Sequence, residues 1–217
     1  MDGIALAMAT IAHVYTSYNG FMALESGTAY TLFYVYPILI LLMAGHPLHP
    51  IMGLLLVGAW LLSRDSKVSK NKTNRERNKD DSLGYVMIFL AALTEAMIYF
   101  LVRRLKTDNH WNHVFLSYLP GAVILTALLS KQIREIKLES ALSLSLLANG
   151  AIGLLGYLLR FFAISRLSPE IYAPLSYFGI VMSHVYGLIF NDDIVTWNKI
   201  LGTLFIIAPN YYLYREM

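Results

Sequence analysis

Cysteine is absent from all 217 residues, which removes disulfides, thiolate metal sites and cysteine nucleophiles. Charge is scarce: Asp, Glu, Lys and Arg make up 14% of the chain, where a soluble domain carries about 25%. The motifs of common enzymes are missing too. There is no His-Glu-x-x-His, no Gly-x-Ser-x-Gly and no phosphate loop, and the few carboxylates in apolar stretches do not form a pair. The chain therefore reads as no enzyme, with no cofactor and no metal. A net charge of +3 and a pI near 9.0 do not point to nucleic acid, because the basic residues sit in short loops between apolar runs.

What is present is apolar. Hydrophobic residues make up 57% of the chain and the mean hydropathy is +0.53. Eight apolar runs stand out, roughly 3–22, 27–44, 49–63, 83–102, 113–130, 141–161, 169–190 and 197–213. Each is long enough, or nearly so, to cross a hydrocarbon core about 30 Å thick. The third is short and draws on the Gly45–Pro50 turn. Helices satisfy their own backbone hydrogen bonds in lipid, and the alternation of barrel strands is absent. The expected fold is all-α, a polytopic membrane helix bundle of about eight transmembrane helices. The first run lacks a basic leader and a small-residue cleavage site, so it reads as a mature helix and not a signal peptide.

One stretch breaks the pattern, "SRDSKVSKNKTNRERNKDDS" from Ser63 to Ser82. It holds seven Lys/Arg and four Asp/Glu without an aromatic residue, as expected of a solvated, flexible linker. Its Asn71-Lys72-Thr73 sequon is weighed as a chance match in an Asn/Lys-rich stretch. The parts on either side look alike. Residues 30–63 and 173–214 each run through a small and aromatic helix, a tight polar turn, a glycine (Gly53, Gly202) and a closing apolar helix. Three helices precede the linker and five follow it. Repeats with an odd number of helices must be inverted across the membrane, a plan that puts a substrate site between them. The domain reading is a partial first repeat at 1–63, a charged linker at 64–82 and a complete second repeat at 83–217.

These residues resemble the EamA-type members of the drug/metabolite transporter superfamily. "YVMIFLAALTEAMIYFLVRRL" is similar to the helix that opens the family's second repeat. "FFAISRLSPEIYAPLSYFGIVMSHVYGLIFNDDIVTWNKILGTLFIIA" is similar to its last two helices, with Asp193, Thr196 and Gly202 at the positions of an acidic residue, a Ser/Thr and a following Gly. "GTAYTLFYVYP" resembles the matching helix of the first repeat. Ala173, Pro174 and Tyr177 and the turn Phe190-Asn191-Asp192 resemble S-adenosylmethionine carriers within the family, although Tyr99 stands where those carriers have an aspartate. The resemblance implies two inverted EamA-like repeats, the first incomplete. It implies a secondary transporter of a small polar metabolite, amino-acid or nucleoside-derived, such as S-adenosylmethionine, in a cell inner or plasma membrane. Family members usually have ten helices. The two that would precede Ile4 are missing, which leaves a truncated or split gene product, or a compact variant completed by a second copy or a partner subunit. A non-transporting assembly partner is the alternative function.

Candidate site residues follow from polar groups inside the apolar runs. Glu95 is the only carboxylate well inside one. An acidic residue at mid-helix costs on the order of 3 kcal/mol on insertion scales, so it should face the bundle interior, where it could hold a proton or a cationic substrate group in turn. Tyr99 lies one turn on. Asn149, Gly153, Gly156 and Arg160 share one helical face, expected to meet a cavity or a neighbouring helix, with Arg160 at the mouth. Ser176, Gly179, Ser183 and Gly187 run down one side of 169–190, with Tyr177 and His184 on flanking faces. The substrate-binding set is Glu95, Tyr99, Asn149, Arg160, Tyr177 and His184. Asp192 or Asp193 is expected to cap the final helix. The stripe Ala5, Ala9, Ala12, Thr16 and Gly20 reads as packing, and His13 beside it as structural. The pairs His46/His49 and His110/His113 read as a rigid turn and an interfacial belt in preference to a metal site. On orientation two criteria disagree. Eleven Lys/Arg on the linker's side against six on the other put the linker in the cytoplasm, while the family pattern puts the C-terminus there.

Overall fold

The computed structural model describes residues 2–24, 29, 32–64, 81–105, 109–128, 130–131, 144–190 and 195–216. The linker interior with its Asn71 sequon and the Asn191-Asp192-Asp193 turn lie outside the described residues. Those described form helices and no strand. In chain order they are α1 (Asp2–Ala23), α2 (Tyr36–Met43), α3 (Met52–Arg64), α4 (Asp81–Arg104), α5 (His110–Leu128), α6 (Leu144–Arg166), α7 (Pro169–Ser176), α8 (Phe178–Phe190) and α9 (Trp197–Glu216). Two of them, α4 from Ser82 onward and α6, are long and apolar enough to cross a membrane by length and composition. On α6 the side chains of Leu146, Leu147, Ile152, Leu155 and Leu159 are exposed. Such a helix is costly in water and at home in lipid.

Local sequence explains where several helices stop and start. α2 ends in a glycine cap: Gly45 takes φ +76°, the amide of His46 donates to Leu41 O at 3.0 Å, and that of Gly45 donates to Leu42 O at 3.1 Å. This paired pattern closes a helix end and needs a left-handed residue, which glycine adopts without strain. α9 is capped by Thr196, whose Oγ1 accepts from the Lys199 amide at 3.3 Å. The expected caps, Asp192 and Asp193, lie outside the described residues.

The apolar run 169–190, expected as one helix, is two. Pro174 is the sixth residue of α7, and without an N–H it cannot bond to the carbonyl one turn back. Three residues on, the Tyr177 amide donates to Pro174 O, and that of Ile180 to Tyr177 O, both at 3.1 Å. The chain tightens at Tyr177 and restarts as α8.

The helices fall into two compact units. The first draws on Met1–Ala12 and Met97–Leu167. In it α5 packs on α6, with Tyr118 and Tyr157 rings 4.6 Å apart. The start of α1 meets α5 closely: a Cβ on Gly121 would lie 3.2 Å from Ile11, and one on Gly3 would lie 3.4 Å from Leu116. The second unit draws on His13–Ala96 and Ser168–Met217. Its core joins Leu41, Met52, Leu55, Leu62, Tyr177, Ile180 and Ile206, where α3 packs on α9 and α2 on α7. α3 and α9 cross at Gly58 and Gly202. A Cβ on Gly58 would sit 2.8 Å from Gly202 O, and one on Gly202 would sit 2.9 Å from Gly58 O. Gly53, the glycine that the repeat comparison picks out, has open space around it.

Candidate substrate site

The site is built in the second unit from two helices in fixed register. α1 and α4 run antiparallel. Glu95 faces His13, Ile88 faces Gly20, and Gly84 faces Leu24, so each step along one helix is matched on the other. The approach is close because Gly20 has no side chain: a Cβ there would lie 2.6 Å from Ile88. Thr16 and Ala9 of the expected packing stripe are buried as well, and Ala5 is exposed.

Where the two helices meet, His13 Nε2 lies 3.5 Å from Glu95 Oε2, with the side chains 16% and 7% exposed. His13 Nδ1 lies 3.1 Å from the Ala91 carbonyl and 3.4 Å from Thr94 Oγ1. The Thr94 hydroxyl is within donating distance of Leu90 O at 2.8 Å, so toward His13 it is free to accept. Both groups facing Nδ1 are then acceptors, and Nδ1 must carry a hydrogen. Nε2 faces a carboxyl oxygen. A proton shared between the two groups, as imidazolium and carboxylate or as imidazole and carboxylic acid, would make this contact attractive, and in either form the pair would be neutral overall, as a low-dielectric interior favours.

Aromatic rings continue from this pair. Phe33 lies 5.9 Å from His13 and 5.2 Å from Tyr36. Tyr36 is buried. Tyr34 lies 6.0 Å from Tyr36 and 5.8 Å from Tyr177. Fully buried Tyr177 donates its hydroxyl to Tyr34 O at 2.8 Å. Gly179 lets Tyr34 approach, since a Cβ there would sit 3.0 Å from the Tyr34 hydroxyl. Glu95 and the helix break at Tyr177 are thus ends of one aromatic cluster. A carboxylate whose histidine partner borders an aromatic cluster suits a cationic group, attracted by the charge and by ring quadrupoles together.

Tyr99, in the first unit, is buried and donates to Leu167 O at 3.1 Å, while Arg103 donates to both Leu167 O and the Tyr99 hydroxyl. Asn149 is exposed. Cβ atoms added at Gly153 and Gly156 would meet nothing within 4 Å among the described residues, so among those residues the face they share with Asn149 is open. Arg160 lies over the rings of Tyr157 and Phe161, 5.9 Å from each. His184 is on α8, and its side chain lies outside the described residues. His46 pairs with Glu170 at 2.6 Å, in the first turn of α7 where an acidic residue suits the helix dipole. His49 Nδ1 accepts from the Ile51 amide at 3.3 Å. Among the described residues no three His, Asp or Glu side chains gather as a metal site.

His13, Tyr36, Tyr34 and Phe33 are additions to the site expected from the sequence. A signal for His13 is nevertheless present there. It and Glu95 are ionisable groups within separate apolar runs, and buried ionisable groups in membranes pair with one another.

The EamA-like transporter family model matches residues 82–213, well over half of the chain. The chain belongs to the EamA-like transporter family. It is therefore an integral membrane transporter of the drug/metabolite superfamily, acting on small molecules from within the lipid bilayer, and its family is one of transporters and not of enzymes. A solved crystal structure of another protein shares the fold, with a TM-score of 0.74 at 15% identity, covering 100% of this chain and 77% of that one. No curated protein matches the sequence.

Proposed function

We propose that this EamA-like protein is a secondary transporter working by alternating access, and that its cargo is a small polar metabolite with a positively charged group. S-adenosylmethionine, an amino-acid and nucleoside derivative with a sulfonium, is the candidate to test first. The observation that carries the reading is the His13–Glu95 pair at 3.5 Å beside Phe33 and Tyr36. A cation arriving at Glu95 takes over the carboxylate, and the pair's proton leaves, so cargo and proton compete for one group. The break at Tyr177 adds support, because interrupted helices are a recurring feature of transporter sites. Tyr177 is proposed as a contact to the cargo. Tyr99, Asn149, Arg160 and His184 are proposed as further contacts on the sequence reading alone.

The test is uptake of labelled S-adenosylmethionine, amino acids and nucleosides into proteoliposomes, with and without a pH gradient. Glu95→Gln keeps the shape and removes the charge. A charge-assisted hydrogen bond contributes about 1.5–3 kcal/mol, so uptake at limiting cargo should fall roughly tenfold or more and lose its response to the gradient. Uptake by Glu95→Gln at the wild-type rate and with the wild-type response would overturn the reading. The open face at Asn149, Gly153 and Gly156 favours a second reading, assembly with another chain. Folded protein that takes up none of the panel and elutes as a larger species would support it.

A further inference from the structure

The first unit holds a separate polar feature. His110, His113 and Ser117 lie at i, i+3 and i+7 on α5 and so share one face. Each has a buried polar atom without a hydrogen-bond partner among the described residues: His110 Nδ1, both ring nitrogens of His113, and Ser117 Oγ. His113 and Ser117 are each only 1% exposed. Buried polar groups are almost always satisfied, because an unmade hydrogen bond costs more than a made one returns. Four unsatisfied atoms on one helical face form a pattern. Thr10 Oγ1 of α1, also buried and without a partner among the described residues, neighbours the Ile11 contact with Gly121 of the same helix α5.

This face has an opening. A groove of about 550 Å³ is lined by Asn109, His110, Trp111, Leu158, Leu159 and Phe162. The His110 ring stands edge-on to Phe162 at 5.2 Å and stacks on His113 at 5.9 Å. His113 in turn lies 5.8 Å from Phe161. The unsatisfied atoms therefore lead from the groove wall along α5 into the unit. Stacked rings present faces to each other and do not converge their nitrogens, which argues against a metal between them. A neutral imidazole offers one donor and one acceptor, and a serine hydroxyl offers a donor and two lone pairs. Their complement is a group that both donates and accepts.

We propose that His113 and Ser117, one turn apart on α5, form a second polar site, distinct from the Glu95 cluster, that takes a hydroxyl group entering from the groove past His110. The hydroxyl comes from water or from a small polyol. Buried waters typically make about three hydrogen bonds to such otherwise unsatisfied groups.

Hydroxyl-radical footprinting of the full chain in nanodiscs, read by mass spectrometry, tests this. Radicals formed from held water label the side chains beside it, so His113 should label on a par with exposed Trp111 despite its burial. Ser117→Val should cut labelling at His113 and leave Trp111 and Trp60 unchanged. If Trp60 labelling also changes, Ser117→Ala replaces it as the milder variant with the same expected loss. Adding ribose, with Trp60 as the internal reference, separates the sources. Selective protection of His113 assigns the hydroxyl to a polyol, and an unchanged ratio assigns it to water. An unlabelled His113 in the wild-type protein, or labelling untouched by both Ser117 variants, would overturn the site.

Discussion

Replacing His13 and Glu95 by leucine, singly and together, should show strong non-additivity. At their 3.5 Å separation, opposite unit charges attract by about 5 kcal/mol at an effective dielectric near 20. That figure is a ceiling, because desolvating the two groups cancels much of it. His13→Leu leaves Glu95, 7% exposed, without its partner, and Glu95→Leu leaves an imidazole held by Ala91 O facing an apolar side chain. Each single change should cost about 3 kcal/mol, the lower end for breaking a buried pair. The double change removes both polar groups and inserts apolar side chains between α1 and α4. It should cost about 3 kcal/mol in total, giving a coupling of roughly 3 kcal/mol, the top of the range for contacting residues. The assay is reversible unfolding in mixed micelles, followed by circular dichroism. Costs that add to within about 0.5 kcal/mol, as for independent sites, would refute the pairing.

The remaining expectations are simpler. Gly58→Val places a side chain against Gly202 O, where a Cβ alone would sit at 2.8 Å, and should destabilise by about 1–3 kcal/mol or more, as overpacking does, seen as a lower thermal midpoint. Tyr177→Phe removes the 2.8 Å bond to Tyr34 O and should cost about 1–2 kcal/mol in the same assay. Tyr99→Phe removes the bond to Leu167 O and the charge-assisted bond accepted from Arg103, and should cost at least as much, about 1.5–3 kcal/mol; a clearly smaller cost than that of Tyr177→Phe would contradict the bonding described. Pro174→Ala restores an amide in α7 and should slow backbone hydrogen exchange around Tyr177. Unchanged exchange there would mean that the break does not come from the missing donor.

The helical architecture is legible in the apolar runs, and α4 and α6 fall close to their expected spans. Glu95 is legible as a site candidate because the cost of a lone carboxylate in an apolar run marks it out. Its partner is not, because nothing in a periodicity says which helix lies opposite, and the register that joins His13 to Glu95 exists only once α1 and α4 are packed. The break at Tyr177 escapes the sequence for a local reason: the apolar run 169–190 continues unbroken through Pro174, yet Pro174 sits deep enough in α7 to leave a carbonyl without its donor. Gly53 stands out over Gly58 because sequence comparison weighs position after a turn, whereas contact depends on which face meets α9. The face of Asn149, Gly153 and Gly156 shows the limit from the other side, since the same spacing is written whether a small-residue face is covered or open.

The crossing at Gly58 and Gly202 has a mechanical consequence. With each backbone carbonyl under 3 Å from where the other glycine's Cβ would be, and Leu62 and Ile206 closing in beside the crossing, sliding one helix past the other would break backbone and side-chain contacts together. The two helices turn as a single beam. A rearrangement within this unit would then fall on a joint away from that crossing, and the break between α7 and α8 at Tyr177 is one such joint among the described residues.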